Sequence, residues 1–404
     1  MKEYFADLHI HIGANSEGKP VKITASRKLT FASIIKECLE RKGIDIIAIV
    51  DCASPRVIKD IKDLIKKGEL LEMPDGGMRH RDRVTVILAW EIETTEENRG
   101  KSHQVAFFPF LKQITEFSSI MSRYITNIDL SSQQSGISAA QFHNIIRTLG
   151  GVLIPAHAFT PHKSIYGNCA RRINEIFTSD MLTNIPAIEL GLSADTDLAD
   201  KIGELKDFSF ISNSDAHSLE KIGREYNKIV MEKPTFKELI LALYGRQDRK
   251  ITANYGLDPK LGKYHRTHCP ECGFIADTPP PVLQCEKCNS EKVVRGVLDR
   301  IVSIEDFREP KHPPKRPPYH YQVPVEFIPG AGKATMNKLV KTFGSEMNVL
   351  HRTSYEDLKP VVGREVASYI VLAREGKLEL QAGGGGKYGK VKGGKGNIEQ
   401  LNLF

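Results

Sequence analysis

Asp7-Leu8-His9-Ile10-His11 sets two imidazoles two residues apart. On an extended chain a period of two points both to one side, so His9 and His11 suit bonds to one metal ion or to neighbouring ions. Ser214-Asp215-Ala216-His217 repeats the arrangement with a carboxylate in place of one ring. A His-x-His pair alone is most often an ordinary surface or core pair. Here it is joined by Asp51, Glu91 and His157, each just after a β-branched run. Nitrogen and carboxylate donors together suit zinc or manganese better than magnesium. Two such ions lower the pKa of a bound water and neutralise charge developing on a phosphate, which is the chemistry of phosphoester hydrolysis. That chemistry needs no Ser-His-Asp nucleophile, and the sequence suggests none.

These residues lie far apart in the chain, so the fold must gather them. Residues 4–9, 45–50, 84–89, 104–108, 152–155, 187–190 and 208–212 read as strands. Residues 31–41, 55–67, 139–149, 170–177 and 235–244 read as helices between several of them. Alternation of strand and helix predicts an α/β fold on a parallel sheet, open or closed into a barrel. In a closed barrel the C-terminal strand ends share one face, where Asp51, Glu91, His157, Asp215 and His217 would meet.

Bulk properties set the setting. The chain has 404 residues and net charge +7, with 34 Lys+Arg against 33 Asp+Glu in residues 1–250 and 23 against 17 in residues 251–404. A near-neutral front and a basic back predict a catalytic body followed by polyanion-binding modules. No apolar run of membrane-spanning length and no signal-peptide pattern are seen, so no membrane partner and a cytoplasmic, nucleoid-associated protein are expected.

Taken together, the motifs in residues 1–250 resemble the PHP (polymerase and histidinol phosphatase) superfamily. The resemblance implies a distorted seven-stranded (β/α)7 barrel with two or three catalytic metals, zinc or alternatively Mn2+ or Mg2+. His9 and His11 match the first motif, Asp51 the second, Glu91 the bridging glutamate, His157 the third, and Asp215 and His217 the fourth. His103, in Ser102-His103-Gln104-Val105, matches a histidine on the following strand. Asp215, Glu91 and His157 are the residues expected to act at the reacting phosphate. The chain departs from the family at Val50-Asp51-Cys52 and Ser16-Glu17-Gly18. Those positions normally serve the third metal, so a third ion here would need Cys52 or Glu17.

Cys269-Pro270-Glu271-Cys272 and Cys285-Glu286-Lys287-Cys288 are two Cys-x-x-Cys pairs twelve residues apart, the spacing of a structural zinc ribbon in residues 251–307. Residues 308–324 are rich in proline and basic groups and predict an extended linker. In residues 325–380, Ile328-Pro329-Gly330-Ala331-Gly332-Lys333 before an amphipathic run resembles a helix-hairpin-helix, with a weaker second copy around Gly363. That resemblance implies phosphate contacts from Gly330, Gly332, Lys333 and Gly363. A nucleotide P-loop is excluded, since Ala334 stands where Ser or Thr should follow the lysine. Residues 381–404 form a Gly/Lys tail expected to be flexible. Its end, Gln400-Leu401-Asn402-Leu403-Phe404, resembles a sliding-clamp docking peptide, with Gln400, Leu401, Leu403 and Phe404 as contacts.

The order of barrel, ribbon and hairpin module resembles the endonuclease Q family over nearly the whole chain. This implies hydrolysis of the phosphodiester 5′ of deaminated bases (uracil, hypoxanthine, xanthine) or abasic sites, in double- or single-stranded DNA. Ser193, in Gly191-Leu192-Ser193-Ala194-Asp195 after the sixth strand, is the candidate base-pocket residue; its rival role is a helix N-cap. A small-molecule phosphatase would explain the metals but not residues 260–404. A non-catalytic DNA-binding scaffold would explain the tail but not the retained metal residues.

Overall fold

Period-two patterning and β-branched runs become strands throughout the computed structural model, which describes residues 1–381, 383 and 385–391. The strands are β1 (Lys2–Ile10), β2 (Ile46–Ile49), β3 (Leu71–Glu72), β4 (Met78–His80), β5 (Val84–Thr95), β6 (Lys101–Phe108), β7 (Val152–Pro155), β8 (Ala187–Glu189), β9 (Ser209–Ile211), β10 (Tyr226–Met231), β11 (Lys250–Gly256), β12 (Tyr319–Tyr321), β13 (Leu380–Gln381) and β14 (Lys390–Val391). β2 is Ile-Ile-Ala-Ile, buried on both faces, as an unalternating apolar strand must be.

β1, β2 and β5 are parallel neighbours. β5 and β6 pair antiparallel because Glu96–Gly100 makes a short turn rather than a helical crossover, and β7 adds antiparallel to β6 after a long helical connection. The purely parallel sheet expected from the alternation is therefore a mixed one. The Ala158 amide donates to the Glu189 carbonyl, linking the end of β7 to β8, and β8 pairs in parallel with β9. The His11 amide donates to the Ala216 carbonyl at 3.1 Å, which returns the path to β1. β10, β11 and β12 extend the sheet from the other edge of β1. Its faces bury two apolar clusters, one around Ile47, Trp90 and Phe142, the other around Leu8, Ile87 and Phe107.

All seven expected strands form, with shifted ends. Helices occupy Phe31–Glu37, Pro55–Lys66, Ala139–Thr148 and Phe236–Leu243 as expected. Residues 170–177 are instead extended backbone around a short turn at Ile173–Glu175. Arg300 donates to the Tyr166 and Ala170 carbonyls at its start, and Arg171 and Arg172 donate to the Ser303 and Ile304 carbonyls, so tertiary contacts override the helical pattern. The helix Leu111–Met121 went unread in the sequence.

The proline-rich stretch is extended, and it is also anchored. The Arg316 guanidinium pairs with buried Asp200 at 2.7 Å and stacks over the Phe210 ring at 3.6 Å, and β12 then pairs with β11. Beyond it, Lys333–Phe343, Glu346–His351 and Tyr355–Arg374 are helical, the last interrupted at Gly363 by a left-handed φ of 83°. Among the described residues no helix is long and apolar enough to cross a membrane.

Candidate metal centre

The ends of β1 and β7, the loop after β9, the interior of β5 (Glu91) and the start of β6 (His103) bring the chemistry-bearing side chains into two groups whose donor atoms lie within 4.8 Å of one another. One is His9, His11 and Asp215; the other is Glu91, His103 and His157. Glu91 joins them. Its Oε1 lies 2.8 Å from His103 Nδ1, 3.5 Å from His9 Nε2 and 3.6 Å from His157 Nε2. Its Oε2 lies 3.5 Å from His11 Nε2. Asp215 Oδ1 is 3.4 Å from His11 Nε2 and 3.8 Å from His9 Nε2. Spacings near 3.5 Å are those expected between donors that each sit about 2.0–2.2 Å from a shared ion.

A second row of groups fixes the rings. His9 Nδ1 donates to Glu189 Oε2 at 2.9 Å, which leaves Nε2 aimed into the cluster, buried and without a hydrogen-bond partner. His11 Nδ1 donates to Asp51 Oδ2 at 3.1 Å, and His157 Nδ1 lies 3.1 Å from Thr160 Oγ1. Such partners set the tautomer and present the other nitrogen's lone pair to a metal. Asp51 thus lies behind His11, outside both groups. His217 is also outside them, with Nδ1 donating to the Asp215 carbonyl at 3.0 Å. Burial, helped by the His11 charge, lowers the His217 pKa to about 4.

The cluster calls for cations. Burial would raise the Glu91 and Asp215 pKa values, yet the facing histidines, with Lys22 for Glu91, hold both well below the carboxylate range. His157 and Asp215 adopt left-handed φ of 29° and 44°, a conformation costly for non-glycine residues and found where surroundings over-determine a functional position. Gly191, also left-handed, has to be glycine for a second reason: a Cβ there would lie 2.8 Å from His157 Cβ.

Beside the cluster lies a cavity of about 310 Å³ lined by His103, His157, Asp215, Ser193, Tyr264 and Tyr388, among others. Ser193 is buried there and accepts from the Tyr264 amide at 3.4 Å. The N-cap of the next short helix is Asp195. Tyr388 comes from the Gly/Lys tail. Its hydroxyl accepts from the Arg224 guanidinium at 2.9 Å, and Arg224 Nε donates to the Ser214 carbonyl at 2.7 Å. Part of a segment expected to be free therefore packs over the site.

Sequence reasoning missed Glu189, Lys22, Arg224 and Tyr388. Glu189 closes β8, and an acidic residue at the end of a β-branched run was a usable signal. The other three stand in loops or in a low-complexity run, where no periodicity marks them. Cys52 is buried in the apolar core and its thiol is pushed up by that burial. Glu17 is at the surface, paired with Lys59 at 2.8 Å and Lys19 at 3.2 Å.

The four Sγ atoms of Cys269, Cys272, Cys285 and Cys288 form a further group, with 3.6 Å between Cys269 and Cys288 and 3.5 Å between Cys272 and Cys285. Gly330, Gly332, Lys333 and Gly363 are all exposed, and Gly332 caps the helix that Lys333 begins. Gln400, Leu401, Leu403 and Phe404 lie outside the described residues.

Residues 195–246 match the family model described as PHP-associated. An uncharacterized protein of Bacillus subtilis (strain 168), YqxK, is 45% identical over 97% of this chain and all of its own length. The crystal structure of a lesion-specific endonuclease from Pyrococcus furiosus is 31% identical, covering 100% of this chain and 99% of its own, with a TM-score of 0.83. A structure of endonuclease Q with a 27-mer duplex bearing an abasic lesion at the active site is 31% identical, covers 98% of both chains and has a TM-score of 0.83. With likeness at this identity running end to end through the cluster, the four-cysteine group and the helical module, the chain belongs to the endonuclease Q family of PHP-domain proteins.

Proposed function

We propose that this protein is a metal-dependent DNA repair endonuclease that hydrolyses the phosphodiester 5′ of deaminated bases (uracil, hypoxanthine, xanthine) or of abasic sites. One observation carries the reading: two largely buried His/carboxylate donor groups, bridged by Glu91, open onto a cavity in a chain alignable from end to end with a lesion-specific endonuclease. The ring β1-β2-β5-β6-β7-β8-β9 is read as the distorted barrel of a PHP domain. His9, His11, His103, His157, Glu91 and Asp215 hold the catalytic ions, zinc by donor chemistry, with manganese or magnesium as alternatives. When bound, those ions supply an activated water and neutralise charge on the reacting phosphate.

The chain's own residues do the rest. Glu189 and Asp51 orient His9 and His11. The cavity beside His157 admits a nucleotide turned out of the duplex, an excursion that costs least where pairing is already lost or weakened. Ser193 lies against that cavity as a base-edge contact. The four cysteines form a structural zinc ribbon. Gly330, Gly332, Lys333 and Gly363 grip phosphates without reading bases. Residues 400–404 dock on a sliding clamp.

The test uses end-labelled duplexes identical except for one abasic site, uracil or hypoxanthine, with protein stripped by chelator and reloaded with manganese or zinc. Nicking confined to lesion-bearing strands and restored only with metal supports the reading. Equal cutting of undamaged duplex, or cutting that survives chelation, contradicts it.

A further inference from the structure

Asp215 reaches His9 and His11 from a turn that an L-residue adopts only under constraint, with a φ of 44°. Side chains hold the carbonyls of that turn. His217 Nδ1 donates to the Asp215 carbonyl at 3.0 Å. Buried Arg224 donates from Nε to the Ser214 carbonyl at 2.7 Å and from Nη2 to the Asp215 carbonyl at 3.5 Å. The far edge of the same guanidinium, Nη1, donates to the Tyr388 hydroxyl at 2.9 Å. Tyr388 is itself held, with the Lys263 ammonium 4.7 Å from its ring centroid. A run of contacts therefore joins the tail to the turn that carries a carboxylate of the cluster.

The tail is shaped for this seat. Besides the backbone bonds from its glycine amides to the carbonyls of Lys260, Lys263 and Leu261, Leu380 pairs with Val391 in a short antiparallel ladder. Glycine is needed where these backbones close on one another. A Cβ on Gly383 would lie 2.5 Å from the Gly389 nitrogen and 2.9 Å from the Gly262 carbonyl oxygen, and one on Gly389 would strike the Gln381 carbonyl. Within residues 383–391 Tyr388 is the single aromatic residue.

We propose that Tyr388 is a positioning residue: by holding Arg224 it fixes the Ser214–Asp215 turn, so that the docked tail completes the active site. A guanidinium is a planar fork on a flexible stem, and tying one edge of the fork directs the others. With Nη1 bound to the hydroxyl, Nε and Nη2 stay aimed at the two carbonyls. Without the hydroxyl the fork gains freedom, and a strained turn loses a restraint that offsets its cost. The consequence falls on rate more than on affinity, because a small misplacement of a group at the reacting atoms slows the chemical step.

This inference rests on the proposed reading of the cluster as a nuclease centre, and its test separates the two. Tyr388→Phe removes the hydroxyl and keeps the ring. On a duplex with one abasic site, with manganese present, its kcat should fall about fivefold, the worth of one ordinary hydrogen bond, while KM stays within about twofold. Lys387→Ala, at an exposed neighbouring position, should cut like wild type. Arg224→Met should lower kcat further, and adding Tyr388→Phe to it should change nothing more, as for two residues acting in series. Hydrogen exchange of residues 213–217, read by mass spectrometry, should quicken about fivefold in Tyr388→Phe by the same loss of restraint. Wild-type kcat, a change in KM alone, or unchanged exchange overturns the proposal and leaves Tyr388 a wall of the cavity. If Arg224→Met does not fold, Tyr388→Phe decides. Quickened exchange in a protein that cuts no DNA would leave the holding role standing and refute the nuclease reading instead.

Discussion

At the scale of the residue, function comes from pairs in which one member orients the other. His9 with Glu189 and His11 with Asp51 each fix one ring nitrogen and free the second. Asp215 is different, because its carboxylate itself faces both imidazoles. Asp215→Asn should lower the nicking rate by at least about 100-fold, the loss typical of a removed charge-stabilising group. Duplex affinity measured by anisotropy should change little, since the proposed phosphate contacts lie elsewhere. Glu225 offers a test in pH. It is fully buried with Oε2 unpartnered, and burial, with Glu189 and Asp7 adding to it, raises its pKa from 4.5 to about 8. The folded chain thus keeps a proton that the unfolded chain releases, so Glu225 contributes most to stability below pH 4.5 and loses that contribution as pH rises to about 8. Glu225→Gln, which keeps the proton's place filled, should flatten the melting temperature across that window and raise it at pH 8 relative to wild type; a parallel decline in both proteins would refute the assignment. The candidate donors His9, His11, Glu91, His157 and Asp215 were legible because period-two spacing or the end of a β-branched run marks them, although β5 continues past Glu91 to Thr95. Lys22 was not, because a lone lysine in a loop carries no pattern, and its partners are more than sixty residues away in sequence.

At the scale of the element, strands were legible and their pairing was not. Hydrophobic runs located all seven expected strands, but nothing local tells a hairpin from a crossover when the connection is short, as between β5 and β6. Tertiary contacts decided other segments. Arg300, with Arg171 and Arg172, holds residues 170–177 out of a helix, and Arg316 turns a proline-rich stretch into an anchored strap. The side chains of Asp200 and Arg316 are 1% and 4% exposed, so removing the guanidinium leaves a buried carboxylate whose remaining side-chain partner is His312, hydrogen-bonded through Nδ1 at 2.8 Å. Arg316→Ala should cost about 3 kcal/mol, at the low end for a broken buried pair because His312 softens the loss. Denaturant unfolding measures it. A loss near zero would mean the strap is a linker in solution.

At the scale of the molecule, charge divides unevenly along the chain. A near-neutral part carries the His/carboxylate cluster, and the more basic remainder supplies the four-cysteine group, the exposed Gly330, Gly332 and Gly363 and the segment bearing Tyr388. The tail was read as wholly free because glycine and lysine cannot build a core. Yet the amides of Gly383, Gly386 and Gly389 donate to the carbonyls of Lys260, Lys263 and Leu261, which places Tyr388 against the cavity. Backbone-to-backbone docking of this kind leaves no trace in side-chain composition. The His/carboxylate cluster, the cavity and the more basic C-terminal part fit the proposed substrate, nucleic acid carrying something small enough to enter beside His157. The most direct measurement is a nick map at single-nucleotide resolution on a duplex with one abasic site, run with wild-type protein and with Asp215→Asn. The account predicts one wild-type product, cut on the 5′ side of the lesion, that is absent with the variant. Cuts scattered along both strands, or the same product from Asp215→Asn, would contradict it.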